Sequence, residues 1–304
     1  MPVMTAIEPK QVTLVIMAAG KASRFGAVKQ LTAVDANGAC LMDFMVFDAI
    51  RIGFKKIVLI VNEQVEADIM NHLAWAKDKV EVEFVRQKML VNEFVSTNNI
   101  PKRYKPWGTG HALLTVESAV DSAFVLINAD DFYGYETLLK AFDFLQNNTL
   151  RNRYAMVSYL LGKTLLPGKV YSRAICVADR NGNLKTLTEY EDLQLDEQKI
   201  CAVSTAKPVP SESNVSMNCW AFTPDVFEKV KQEFIVFLER NPAVDQEFFL
   251  PSAIRQIIQK GTAQVQILNT DAVWFGLTYN EDLLHVQEQI NRLVRLGIYP
   301  QKLW

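Results

Sequence analysis

Cysteine, glycine and proline are scarce, with 4 Cys, 13 Gly and 11 Pro among 304 residues. Cys40, Cys176, Cys201 and Cys219 are scattered singly, with no C-x-x-C and no His pair nearby. That spacing argues against a zinc framework or a disulfide scaffold, and the thiols read as reduced and mostly buried. So little Gly and Pro excludes a collagen-like chain, and no low-complexity tract or internal repeat occurs. An excess of charge is missing too: 32 Lys and Arg face 34 Asp and Glu, a net charge of −2. No global field therefore recruits nucleic acid or an anionic membrane, and any phosphate binding has to be local. The longest early apolar stretch, Val12 to Ala19, is interrupted by Thr13 and is too short to span a bilayer. No basic segment with a cleavage site precedes it, so a cytoplasmic protein without membrane or nucleic-acid partners is expected.

Apolar residues are plentiful, at 49%. At this length they allow a substantial core, in one large α/β domain or two closely packed lobes. Continuous apolar runs alternate with stretches of helical period. Val12–Ala19, Lys56–Val61 and Val80–Val85 read as strands, and Cys40–Gly53 and Gln64–Lys77 as helices between them. This βαβαβ rhythm predicts a parallel sheet covered on both faces. A further strand over Ala123–Ala129 lies between helices over His111–Val120 and Tyr135–Gln146. After about residue 150 the strands shorten to Tyr154–Leu161, Arg173–Ala178 and Leu184–Glu189, with a hairpin signal at 179–183, which predicts a mixed-sheet second lobe. Residues 192–214 read as a surface excursion. Val215–Phe222 returns to strand, and Thr223 and Pro224 read as N-cap and first residue of a helix over Val226–Arg240. Helices over Asp245–Lys260 and Asn280–Leu296 flank a predicted strand pair, Gln264–Leu268 with Ala272–Leu277.

Three segments carry chemistry. The first strand runs into Ala18-Ala19-Gly20-Lys21-Ala22-Ser23-Arg24-Phe25, followed by Lys29-Gln30-Leu31. Small residues there let backbone N–H groups approach an anion, and Arg24 and Lys29 add fixed positive charge. A dinucleotide fingerprint would need Gly where Ala22 stands, and a Walker loop would need Ser or Thr after Lys21. Next, Lys105-Pro106-Trp107-Gly108-Thr109-Gly110-His111 reads either as backbone open to a pyrimidine edge or as a helix start capped by Gly108 and Thr109. Third, Asp130 and Asp131 follow an apolar strand at its C-terminal end, where open α/β sheets bind ligands and where a carboxylate is placed to hold Mg2+ on nucleotide phosphates.

Together these segments resemble the sugar-1-phosphate nucleotidyltransferases, the nucleotide-sugar pyrophosphorylases, and their relative phosphocholine cytidylyltransferase. The resemblance covers almost the whole chain and implies a Rossmann-like nucleotide-diphospho-sugar transferase fold. Its mixed, mostly parallel central sheet would carry helices on both faces and a smaller acceptor lobe. The implied division is one domain over 1–304, with a nucleotide-binding lobe (1–150), an acceptor-binding lobe (151–280), a C-terminal helix (280–304) and no hexapeptide-repeat domain.

The resemblance also assigns roles. Arg24 and Lys29 would be catalytic, holding the triphosphate and stabilising the leaving pyrophosphate. Ala18, Ala19, Gly20, Ser23, Gln87, Gly108, Thr109 and Gly110 would bind the nucleotide, with Gln87 recognising the base; the segment between Gln87 and Gly108 is longer than the family's usual link, and its length alone reads residues 88–106 as a lid or binding loop. Asp130 would hold Mg2+, while Asp131 would cap the following turn or orient a water. Glu189 and Asn218 would bind the hydroxyls of the acceptor. Tyr190 stands where relatives place a lysine. Gly276 stands where they place a second metal aspartate, so Asp271 or another carboxylate substitutes, Asp130 acts with phosphates and water, or metal binding is impaired. Glu281 and Asp282 read as favourable charges at a helix start. The expected substrates are a nucleoside triphosphate and a sugar 1-phosphate or phosphocholine. Tyr159, Tyr171, Tyr190 and Trp220 are the candidates for caging a quaternary ammonium. A nucleotide-sugar-dependent glycosyltransferase and a non-catalytic nucleotide-binding regulator are the other classes compatible with these motifs.

Overall fold

The computed structural model describes residues 10–20, 28–88, 103, 105–197 and 199–304. Ser23 and Arg24, with most of the 88–106 segment, therefore lie outside the described residues. The first half alternates strand and helix: β1 (Val12–Met17), α1 (Leu41–Ile52), β2 (Lys56–Val61), α2 (Glu66–His72), β3 (Glu81–Arg86), α3 (Thr109–Leu114) and β4 (Ala123–Asn128). Strands β3, β2, β1 and β4 lie side by side, all parallel, with Val15 between Val58 and Leu126 in register. Leu14, Ile16, Ile57 and Leu59 face one apolar cluster, while Val15, Val58 and Ile60 face another. The unbroken apolar runs are thus strands buried on both faces. α1 covers the first face.

Capping shapes the entry and exit of α1. Cys40 is its N-cap, its backbone N–H donates to Asp43 Oδ2 (2.8 Å), and Gly53 ends it at φ 108°. The same Asp43 accepts from Cys40 Sγ at 3.1 Å, His72 Nε2 at 2.6 Å and Trp75 Nε1 at 2.9 Å. Among the described residues, Cys40, Asp43 and His72 are the only three such side chains close enough to share an ion. Their separations are those of hydrogen bonds, and the carboxylate satisfies all three donors. The fold thus brings a histidine beside a thiol that sequence spacing left isolated.

The second half contains β5 (Asp131–Phe132), α4 (Tyr135–Asn147), β6 (Arg153–Leu160), β7 (Val170–Ala178), β8 (Leu184–Asp196), β9 (Lys199–Ala202), β10 (Lys207–Val209), β11 (Asn214–Phe222), α5 (Val226–Glu239), α6 (Leu250–Gln259), β12 (Gln264–Asn269), β13 (Phe275–Gly276) and α7 (Asp282–Arg295). α4 joins α1 on the first face of the sheet, and α3, α5 and α6 pack on the second. β11 is the seam. Its C-terminal half runs antiparallel to β4, its N-terminal half runs antiparallel to β7, and β6 lines its other edge. Beyond β7 the sheet continues antiparallel through β8, β9 and β10. The sheet is therefore parallel in its N-terminal half and antiparallel beyond β4, apart from the parallel pair β12 and β6.

Several elements differ from the sequence reading. Residues 192–214 form ladder rather than a surface excursion. Leu193, Ile200 and Ala202 are at most 2% exposed, so period-2 burial persists although Glu, Lys and Pro dilute the composition. Helix α5 starts at Val226 with Asp225 as N-cap, and Thr223 Oγ1 instead donates to Asp225 Oδ1 at 2.5 Å. β13 pairs with β5 across Gly276 and Asp131, not with β12, because Phe275 stacks on Phe132 at 4.5 Å. α3 ends at Leu114 and α6 begins only at Leu250. Among the described residues no helix is long and apolar enough to cross a membrane.

Candidate active site at the meeting of two clefts

Two clefts open at the C-terminal ends of β1 and β4. The first, of about 470 Å³, is lined by Met17, Ala19, Gly20, Gln87, Gly108, Thr109, Asn128 and Asp130 among others. The second, of about 380 Å³, is lined by Lys29, Asp130, Asp131, Arg173, Glu189, Asn218 and Trp274 among others. Asp130, Asn128 and Thr109 belong to both. Of the candidates from sequence, Ala19, Gly20, Gln87, Gly108 and Thr109 line the first cleft and Lys29, Glu189 and Asn218 the second, while Ala18 and Gly110 line neither.

The start of the loop after β1 is held from below. Gln30 Nε2 donates to Ala18 O (3.2 Å) and Gly20 O (2.9 Å), and Asn62 Nδ2 donates to Ala19 O (2.9 Å). Ala18 is fully buried, so its part is structural, whereas Ala19 and Gly20 reach the cleft. Gln30 and Asn62 are contributors the sequence reading missed. Their signal is chemical: a strand-to-loop transition leaves carbonyls unpaired, and amide side chains complete them.

Lys29 Nζ lies 2.5 Å from Asp130 Oδ2. The anticipated triphosphate cation and metal carboxylate therefore form an ion pair with each other. Asp131, read as capping the following turn or orienting a water, makes no cap: its partners are side chains. Its Oδ2 accepts from Asn128 Nδ2 at 2.7 Å and lies 3.2 Å from Tyr133 OH, which also reaches Met217 O at 2.8 Å. Burial, then the Asp130 charge beside it, raises the Asp131 carboxyl above the usual range. The two carboxylates offer oxygen donors only, with no Cys or His lining either cleft. That donor set fits a hard divalent cation such as Mg2+. Asp271 is elsewhere, 92% exposed and paired with Lys163 at 3.2 Å.

On the base side, Gln87 Nε2 donates to Gly108 O and to His111 Nδ1, both at 3.3 Å. Burial, helped by the Arg103 charge, depresses His111 to about 4, so its ring is neutral and can accept. The remaining Gln87 oxygen is then the atom available to a ligand. The two glycines behave differently from the open backbone first read there. A Cβ on Gly108 (φ 99°) would lie 2.7 Å from Phe248 O, and one on Gly110 would lie 2.5 Å from the Phe248 ring. Gly110 N–H donates to Phe248 O at 2.9 Å, and Thr109 Oγ1 accepts from Leu250 N at 3.0 Å. Gly110 thus admits Phe248 rather than a base, while Gly108 and Thr109 still line the cleft.

In the acceptor cleft, Asn218 sits at φ 64° in the β11 bulge, where the strand passes from β7 to β4. Its Oδ1 accepts from Trp220 Nε1 (2.8 Å) and its Nδ2 donates to Asn128 Oδ1 (2.9 Å). Much of this amide is spent on positioning Asn128 and, through it, Asp131. Glu189 lines the cleft from β8. Tyr159 and Trp220 are at most 1% exposed. They are core, the commoner place for such aromatics, and so neither is available to cage a quaternary ammonium. Asp282 is no mere dipole charge: it accepts from the N–H groups of Thr278 and Tyr279 and pairs with Lys169 at 2.5 Å. Two buried polar atoms have no partner among the described residues, Gln30 Oε1 and Trp274 Nε1. Both belong to residues that build the clefts, where such a cost is tolerated for a ligand.

No protein-family model matches the chain, and no curated protein matches it in sequence. The architecture is nevertheless that of sugar-phosphate nucleotidyltransferases. One solved structure with this fold is the inositol-1-phosphate CTP transferase from T. maritima, 14% identical, with a TM-score of 0.62 over 95% of this chain and 98% of that one. Another is UDP-glucose pyrophosphorylase complexed with UDP-glucose, 16% identical, with a TM-score of 0.61 over 93% of this chain and 99% of that one.

Proposed function

We propose that the protein is a nucleotidyltransferase that transfers a nucleoside monophosphate from a nucleoside triphosphate to a sugar 1-phosphate and releases pyrophosphate. The observation that carries this reading is the meeting of the two clefts at Asp130 beside Lys29. A triphosphate seated over Ala19 and Gly20 brings its α-phosphorus to that junction. A sugar 1-phosphate whose hydroxyls are held by Glu189 and Asn218 presents its phosphate to the same point from the other side. The two solved enzymes of this fold, one a CTP transferase for inositol 1-phosphate and the other a UDP-glucose pyrophosphorylase, support the substrate classes.

Such a reaction needs little covalent help from protein, so catalysis is positioning and neutralisation of charge. The acceptor phosphate oxygen attacks in line, the α–β bond breaks, and pyrophosphate leaves with the electron pair. Lys29, released from Asp130 when phosphate arrives, neutralises charge on the transferring group, and Arg24 acts from the preceding loop. Asp130 would hold Mg2+, which when bound offsets charge on the phosphate oxygens.

The test is pyrophosphate release in Mg2+, crossing UTP, dTTP, CTP, GTP and ATP against sugar 1-phosphates and phosphocholine. Release with one nucleotide and one sugar 1-phosphate is the expected result. Release only with phosphocholine moves the acceptor class, and silence across the panel from folded protein overturns the reading. In the active pair, Lys29→Ala and Asp130→Asn should each lower kcat/KM by about two orders of magnitude or more with an unchanged unfolding midpoint.

A further inference from the structure

Gly276 and Asp131 face one another in the short antiparallel pair of β13 and β5. A Cβ built on Gly276 would lie 2.2 Å from Asp131 Oδ1, 3.2 Å from the Trp274 ring and 3.3 Å from Asp130 O. No real Cβ tolerates the first of these, and glycine is the residue that leaves room. What fills that room is a carboxylate oxygen. The Asp131 side chain is held by its other oxygen, Oδ2, through Asn128 and Tyr133, and Asn128 is held in turn by Asn218. Oδ1 takes no hydrogen bond from any described residue, and Asp131 lines the acceptor cleft together with Asp130 and Lys29.

We propose that Asp131 is the second carboxylate of the cation site, presenting Oδ1 from β5 into the space that a side chain on β13 would otherwise occupy. The inference rests on the reading that Asp130 holds a divalent cation during nucleotidyl transfer, and adds the residue that shares it. The physical case has two parts. Magnesium binds through one or two carboxylates plus phosphates and water, a demand these two oxygens meet. The fixed orientation through Asn128 and Tyr133 is the hydrogen-bonded support that ligating carboxylates characteristically have. Gly276 is then a consequence of the site: its missing side chain is the clearance for Oδ1.

The test is Mn2+ binding, read as loss of the free-ion electron paramagnetic resonance signal, on wild type, Asp130→Asn, Asp131→Asn and the double variant Asp131→Gly/Gly276→Asp. Asp131→Asn keeps the shape and is expected to weaken Mn2+ binding about tenfold or more. The double variant moves a carboxylate from β5 to β13 and is expected to recover most of that loss, which a purely structural role for Asp131 would not produce. If Asp130→Asn loses Mn2+ while Asp131→Asn binds as wild type does, the cation reading stands and this inference falls. If wild type binds no Mn2+, the cation reading itself falls and takes the inference with it. Unfolding midpoints of the same samples identify a variant that has lost its fold, and the double variant, free of the 2.2 Å clash, then decides.

Discussion

Individual side chains at the clefts carry more than one duty, and their hydrogen-bond capacity shows which duty dominates. Asn218 spends its Oδ1 on Trp220 and an N–H on Asn128, in a left-handed conformation that costs a residue with a Cβ about 1 kcal/mol. The amide repays that strain by tying β11 to the carboxylates. Asn218→Ala and Asn218→Gly should both raise the acceptor KM, and the glycine variant should be the more stable by about 1 kcal/mol in urea unfolding. Gly108 is constrained in the opposite sense. With φ 99° and backbone of Phe248 2.7 Å from its would-be Cβ, Gly108→Ala should cost about 2 kcal/mol or more by the same measurement. A carbonyl, unlike the tip of a flexible side chain, has little freedom to move aside.

Elements explain why part of the chain was legible before its structure and part was not. β2 is found where the sequence placed it, residue for residue, because an apolar run bounded by polar residues has one reading when both faces are buried. The first part of β8 was read as a strand, but its continuation past Asp192 and the strands β9 and β10 were missed because buried residues there are sparse, Leu193, Ile200, Ala202 and Val209, among exposed polar and charged ones. β13 was assigned to the wrong partner because two residues carry no register information of their own, and the stacking of Phe275 on Phe132 decides it. At the candidate site, residues whose chemistry lies in their own side chains, Lys29, Asp130 and Glu189, are at the clefts as expected. Asn62 and Asn128, which work by holding other groups, carry no motif that announces them, and Gln30 stood in a quoted motif without a role of its own.

The link between α1 and α2 gives an element-scale prediction. The hydrogen bond to Asp43 raises His72 above its ordinary value, outweighing the opposing effect of partial burial. A histidine raised on folding contributes stability that is complete below its unfolded value near 6.5 and lost as pH climbs through the folded one. The unfolding midpoint should therefore fall as pH is raised from about 6 to 8, and His72→Gln should flatten that slope.

On the scale of the whole molecule, the C-terminal residues return to the first helix. Tyr299 OH donates to the buried Asp48 Oδ2 at 2.5 Å, Trp304 stacks on Trp75 at 4.8 Å, and Asn37 Nδ2 donates to Gln301 O at 2.6 Å. Removing residues 299–304 should lower the unfolding midpoint by several degrees, since the buried Tyr299, the half-buried stack of Trp304 on Trp75 and one of the two partners of Asp48 leave together. Pyrophosphate release should suffer less than stability, because none of these residues lines either cleft.

The seam strand has a mechanical consequence. β11 is bonded along one stretch to β4 and along another to β7, with β6 continuous beside both. A hinge between the two halves would have to shear backbone ladders on either side of a single strand. If the two clefts hold nucleotide and acceptor as proposed, their spacing would be set by these continuous ladders as a fixed gauge rather than by a hinge.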